Sequence, residues 1–187
     1  MWAIARIYRQ SGDVVALGDT YDKWRRLYGK DPGNEDDYVF SFYDVSKLWQ
    51  KKGRTRQADA AGKATIDAWK AKGSIKGSQG AKWAGEWELA FAERYFDKTF
   101  EPYQIKIKAR TPAQFKAAKA ALEKVTTTTQ DKYLALDQYG VAEYSMAAKV
   151  RFGETASEYT QKLAAAPTPK FVEDLDRRNP DAGAIAA

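Results

Sequence analysis

Apolar positions recur along most of this chain at helical spacing, and twice the recurrence stops at a glycine in the same way. Ile4, Ile7 and Tyr8 precede Gly12, while Val45, Leu48 and Trp49 precede Gly53, each equivalent pair lying 41 positions apart. An i, i+3, i+4 stripe is one face of an amphipathic helix, and a glycine just past it is a common stop. Each stop is followed by a second periodic run ending near a tryptophan: Leu17, Tyr21, Trp24 and Tyr28 in the first copy, Ala58, Ala61, Thr65 and Trp69 in the second. Residues 1–72 therefore predict two helical hairpins. Between them the breaker cluster Gly29 to Asn34 ends one helix, and Asn34 or Asp36 is placed to cap the next, which carries Tyr38, Phe42, Val45 and Trp49.

Residues 73–80 read GSIKGSQG, a Gly/Ser linker and the predicted internal boundary. A module at 81–180 continues the stack beyond it. Trp83, Trp87, Phe91 and Tyr95 fall on every fourth position and predict a long helix from about Ala81 to Phe100, packed on two sides. Tyr103 to Ala109 then alternates with period two, a strand signature. No second alternating run offers a partner, so an extended connector is expected that buries Ile105 and Ile107 and exposes Lys106 and Lys108. Thr111-Pro112 is a helix start, and Phe115, Ala118, Leu122 and Val125 form its stripe. Thr126 to Thr129 loosen that helix without ending it, and helical spacing runs on through Tyr133, Leu136, Tyr144 and Ala147 to Phe152. Gly153 predicts a third turn, and a last helix with Tyr159 and Leu163 ends at Pro167. Residues 181–187 read as a flexible tail. The sum is an all-α chain of about seven helices in stacked antiparallel hairpins, with Tyr8, Trp24, Trp49, Trp69, Trp87 and Phe91 in its core.

Composition narrows the chemistry. With 187 residues, 44% apolar and 13% aromatic, the chain can bury a full core. It contains no cysteine and no histidine, which excludes thiol nucleophiles, disulfides, Cys/His zinc sites and imidazole catalysis. The net charge of +6, from 31 basic and 25 acidic residues spread along the whole length, describes a solvated helical surface better than a dedicated polyanion site. No apolar run approaches the ~18 residues of a membrane span, and no export signal opens the chain. The Met1-Trp2 start, leading directly into a helical pattern, is what a piece of a longer protein would look like. The paired carboxylates Glu35-Asp36-Asp37, Glu86 with Glu88, and Glu173-Asp174-Asp176 sit at a helix start, on a helix face and in a charged stretch. Acid–base hydrolysis needs two held across a cleft. The segment Asp31 to Asp37 lacks the spacing of a calcium loop, and GSIKGSQG lacks the order of a phosphate loop. No cofactor, metal or catalytic residue is expected.

Helical pairs that turn at glycine after a large aromatic resemble tetratricopeptide repeats. Ile4, Ala5, Tyr8, Gly12 and Pro32 carry the likeness in the first copy, and Phe42, Val45, Trp49, Gly53 and Ala58 in the second. A narrower resemblance rests on IARIYRQSGDVVALGDTYDKWRRLYGKDP and YGVAEYSMAAKVRFGETASEYTQKLAAAPTP, which are similar to the large repeat proteins of myxobacteria and related predatory bacteria, some of them similar to envelope components of the adventurous gliding machinery. Glu143-Tyr144 stands where such proteins often show a Pro-Glu-Trp run. The resemblance implies a scaffold in the periplasm or at the outer membrane that holds other proteins together; a cytoplasmic location is the alternative.

Three functions follow from these readings. The first is a protein-binding scaffold, with Arg6, Gln10, Lys47 and Gln50 as contact residues, because they lie off the apolar stripes on the first helix of each hairpin. The second is single-stranded nucleic-acid binding through Trp24-Arg25-Arg26, Trp49 to Lys52 and Tyr103 to Arg110. The third is a lyase or glycosidase working through Tyr, Glu and Arg.

Overall fold

A computed structural model describes residues 1–178, and among these every regular element is helical. Eight α-helices follow in order: α1 Trp2–Ser11, α2 Val14–Tyr28, α3 Glu35–Lys51, α4 Thr55–Ala71, α5 Gln79–Tyr95, α6 Pro112–Leu134, α7 Ala142–Ala164 and α8 Lys170–Arg178. A π-helical turn, Phe96–Phe100, prolongs α5, and a 3-10 turn, Ala135–Tyr139, follows α6. The expected tail at 181–187 lies outside the described residues. The chain forms two compact units, Met1–Phe91 with Ala135–Ala148, and Ala92–Leu134 with Lys149–Ala187.

In the first unit Gly12 and Gly53 end α1 and α3 with φ of +75° and +68°, a left-handed stop that glycine adopts without steric cost. Asp13 then caps α2 by accepting from the Ala16 amide at 3.0 Å. Helix α1 packs on α2, α2 on α3 and α3 on α4. The inward face of α1 differs from the expected stripe: Ile4 and Ile7 are 49% and 61% exposed, while Ala5 is buried with Trp2 and Tyr8 packed beside it. Helix α3 is enclosed on most sides, so its periodicity is a poor guide. Val39, Ser41, Asp44, Ser46 and Leu48 are its buried positions, and Tyr38, Phe42, Val45 and Trp49 are half-buried. Asn34 stands at the N-cap of α3, but its side-chain amide donates instead to the Tyr28 carbonyl at 2.9 Å. Trp24, Trp69 and Trp87 lie in the core as expected; Tyr8, Trp49 and Phe91 are half-buried.

The Gly/Ser stretch at 73–80 does not part the two units. It is a tight reversal inside the first, with Gly73 and Gly77 at φ of +87° and +71°. The Trp69 indole donates to the Ile75 carbonyl at 3.2 Å and the Gly77 amide to that of Tyr139 at 2.8 Å. Its glycines supply backbone conformations that other residues resist, not slack.

In the second unit Leu122, Thr126, Thr129 and Tyr133 are the buried positions of α6, and Phe115, Ala118 and Val125 are half-buried. The threonines do not interrupt the helix. Thr126 and Thr129 donate to the carbonyls of Leu122 and Val125 at 2.9 and 2.8 Å, so each hydroxyl is satisfied while its methyl packs. Residues 103–109 are extended, as expected, and Ile105 is buried, but Ile107 is 59% exposed and Ala109 takes the second inward position. The expected run to Phe152 is cut: α6 stops at Leu134, and Gly140 reverses the chain at φ +64°. Gly153, by contrast, makes no turn. It lies inside α7, a helix with good formers on both sides. Pro167-Thr-Pro169 ends α7 and also opens α8, since proline is tolerated where a helix begins.

Two glycines test these assignments with opposite signs. A Cβ on buried Gly62 would lie 2.3 Å from Cδ2 of Trp87. The ~1 kcal/mol that alanine gains over glycine in a helix is then outweighed by overpacking of about 1–3 kcal/mol, and Gly62→Ala should destabilise. At Gly153 a Cβ meets nothing within 4 Å, so Gly153→Ala should stabilise by about 0.5–1 kcal/mol. Urea melts read both; a loss of stability at Gly153→Ala would place a left-handed turn there.

Candidate functional site

Three helices of the first unit bring aromatic rings to one open cleft. Trp2 comes from the first turn of α1, Phe40 from α3 and Trp83 from α5. The Trp2 and Phe40 rings lie 6.0 Å apart, and those of Phe40 and Trp83 5.0 Å apart. Tyr43, three residues after Phe40 and on the same side of α3, stacks on Trp83 at 5.7 Å and 24°. Trp2 is seated from behind by Tyr21 and Trp24 at 5.5 and 5.3 Å. Together with Arg6, Arg9 and Asp37, the Trp2, Phe40 and Trp83 rings line a cleft of about 420 Å³.

The buried polar side chains of α3, Ser41, Asp44 and Ser46, are all hydrogen-bonded. Asp44 accepts from Arg9 Nε at 2.8 Å and from the Tyr21 hydroxyl at 2.7 Å, and Arg9 also donates to the Tyr21 oxygen at 3.1 Å. The Arg9 guanidinium lies 5.3 Å from the Phe40 ring centre. One arginine thus forms part of the cleft wall and anchors α1 to α2 and α3. Ser41 accepts from Arg25 at 2.7 Å, and Ser46 accepts from the Trp87 indole at 2.8 Å. Between α3 and α5, Glu86 accepts from the Tyr43 hydroxyl at 2.7 Å and from Lys47 at 2.9 Å.

Burial, reinforced by Asp44, raises the Tyr21 pKa above the ordinary phenol value; burial, reinforced by Glu86, does the same for Tyr43. Both phenols are therefore neutral donors near pH 7. Desolvation, then the neighbouring Asp36, holds Asp37 above the usual aspartate range.

The structure treats the four sequence candidates differently. Arg6 is exposed, lines the cleft and has no ion pair among the described residues. Lys47 lies outside the cleft lining and is tied to Glu86. Gln10 and Gln50 are exposed and lie outside the cleft lining. Sequence reasoning missed Trp2, Arg9, Phe40 and Trp83. Trp2 falls off the Ile4, Ile7 stripe, and Phe40 falls off the stripe through Tyr38 and Phe42, so an aromatic off the apolar face of its helix was the available signal.

The carboxylates considered for acid–base chemistry have other partners. Asp36 accepts the Gly80 amide at 2.8 Å, Glu88 the Tyr139 hydroxyl at 3.0 Å, and Glu173 pairs with Lys108 at 2.6 Å. Among the described residues no cluster of three or more acidic side chains could hold a metal ion, and no helix is long and apolar enough to cross a membrane. No family model, curated protein or solved structure matches the chain.

The tyrosines give the pH dependence. Burial is the largest cause of the upward shift at Tyr21, Tyr43, Tyr133, Tyr139 and Tyr144, the last pushed up to about 12. A raised folded-state pKa means that the contribution is complete below the unfolded value of about 10 and is lost as pH climbs toward the folded value. Alkaline titration at 295 nm should therefore show a late set of tyrosines, ionising above the ordinary phenol value, whose ionisation coincides with loss of the 222 nm helix signal. Ionisation of all 11 tyrosines in one step, with helicity intact, would contradict the buried placements.

Proposed function

We propose that the chain is a non-catalytic protein-binding scaffold whose first unit holds an extended segment of a partner protein in the aromatic and arginine cleft. The observation that carries this reading is the origin of the lining: α1, α3 and α5 each contribute a ring, and Arg6 adds a guanidinium with no ion pair among the described residues. In a solenoid of antiparallel helical hairpins, the first helices of successive pairs line one concave side. The alternation α1, α3, α5 agrees with such a tetratricopeptide-like arrangement, with α1–α2 and α3–α4 as its first two hairpins. Aromatic faces with a free cation at the rim suit a peptide that presents apolar side chains and at least one carboxylate.

On this reading the chain is part of a larger envelope-associated repeat protein, periplasmic or at the outer membrane, in the setting of gliding motility, and it works without a cofactor. A nucleic-acid strand suits the cleft less well. Arg9 is already bonded to Asp44, while Asp37 places negative charge where phosphates would run. Nor do carboxylates converge on the cleft as a lyase or glycosidase would need.

A displayed peptide library selected on the full chain should yield binders that lose at least about tenfold in affinity on the Arg6→Glu, Lys47→Glu double change, with thermal unfolding unaltered. Binding that survives this change undiminished would remove the face. Displacement of the peptides by a single-stranded oligonucleotide at low micromolar concentration would instead favour the nucleic-acid reading.

A further inference from the structure

The extended segment of the second unit carries an independent site. Gln104 to Lys108 have strand-like sequence alternation, yet none of their backbone groups is hydrogen-bonded to a described residue. The segment is nevertheless held at both ends. The Tyr103 amide donates to the Phe100 carbonyl at 3.1 Å, the Lys170 amide donates to that of Ala109 at 2.8 Å, and Ile105 and Ala109 are buried. Beside it runs a groove of about 560 Å³ lined by Gln104, Ile105 and Lys106 from the segment and by Gln161, Lys162, Ala165 and Pro167. An extended backbone fixed at its ends, with open donors and acceptors along a groove, is the template that strand addition uses.

We infer that Gln104 to Lys108 bind an extended acidic segment of a partner protein by backbone pairing. The charge around the groove selects this occupant. Lys106 has no ion pair among the described residues, and Lys108 is 52% exposed although paired with Glu173. Lys162, which also lines the groove, is committed already: it donates to the Glu101 carbonyl at 2.6 Å and pairs with Glu158 at 3.8 Å. Glutamate or aspartate at alternate positions of an incoming strand would lie across from Lys106 and Lys108, as favourable cross-strand pairs do. A second copy pairing through the same segment would set lysine near lysine, an arrangement that natural edges use to prevent self-association. Ile107, 59% exposed, gives the incoming strand an apolar neighbour.

The probe is an eight-residue peptide alternating valine and glutamate, with a twin in which alternate amides are N-methylated. Added to the full chain, the first should slow hydrogen exchange of backbone amides within 104–108, and the twin should bind at least about tenfold more weakly. Successive amides of an extended chain point to opposite edges, so one of Lys106→Pro and Ile107→Pro should abolish binding while the other retains it. Both variants should keep the parent melting temperature, because neither amide has a partner among the described residues. The inference is overturned if the twin binds equally well, if both proline variants still bind, if protection falls outside 104–108, or if the unliganded chain dimerises through this edge.

Discussion

A carboxylate in the middle of the first unit sets the terms for everything around it. Asp44 is 8% exposed on a largely enclosed helix of that unit, and a buried charge is tolerated only when its lone pairs are used. Arg9 and Tyr21 supply the hydrogen bonds, one from α1 and one from α2. The apolar contact of α1 is small, with Ala5 its one buried residue and Trp2 and Tyr8 half-buried beside it. A ten-residue helix with so little burial is marginal by itself. The polar triad is therefore what fixes the rotation of α1, and that rotation turns Ile4 and Ile7 outward.

The cleft inherits this arrangement. Trp2 faces Phe40 because α1 is held at Arg9, seven positions further along the same helix, and Arg9 itself lies over the Phe40 ring. On the opposite side, α5 is fixed to α3 by the Trp87 bond to Ser46 and by the pairing of Glu86 with Tyr43 and Lys47. Gly62 on α4 makes room for Trp87, whose ring would collide with any Cβ there. Cleft lining and structural network thus share Arg9, while Arg6, the other basic lining residue, has no ion pair among the described residues.

Much of the helical content was legible in the sequence, because Gly12, Gly53 and the Thr111-Pro112 start are local signals with local causes. Faces were harder. The stripe Ile4, Ile7, Tyr8 is a better amphipathic pattern than Trp2, Ala5, Tyr8, and only the tertiary bond from Arg9 to Asp44 overrides it. In α3, burial on most sides removes the contrast that periodicity detects, and the deepest positions are Ser41 and Ser46, which look like surface residues until their partners Arg25 and Trp87 are known. Gly153 and Gly140 show the same limit. Both are single glycines in helical surroundings, and what separates them is that Gly140 sits between buried Tyr139 and Val141 in a reversal bonded to Gly77. For the cleft, Arg6 was readable as a polar position off the stripe, whereas the aromatic lining depends on three helices meeting.

Hydrogen exchange on the Asp44→Ala variant tests the central claim most directly. Breaking a buried charge pair costs about 3–5 kcal/mol, but Arg9 is 40% exposed and regains water, so about 1–3 kcal/mol is expected here. The loss should be local: amides of α1 and the first turns of α2 should exchange at least about tenfold faster than in the parent, while those of α4 keep their protection. Unchanged exchange in α1 would contradict the account, since it would mean that apolar contact alone holds the helix that carries Trp2 and Arg6 to the cleft.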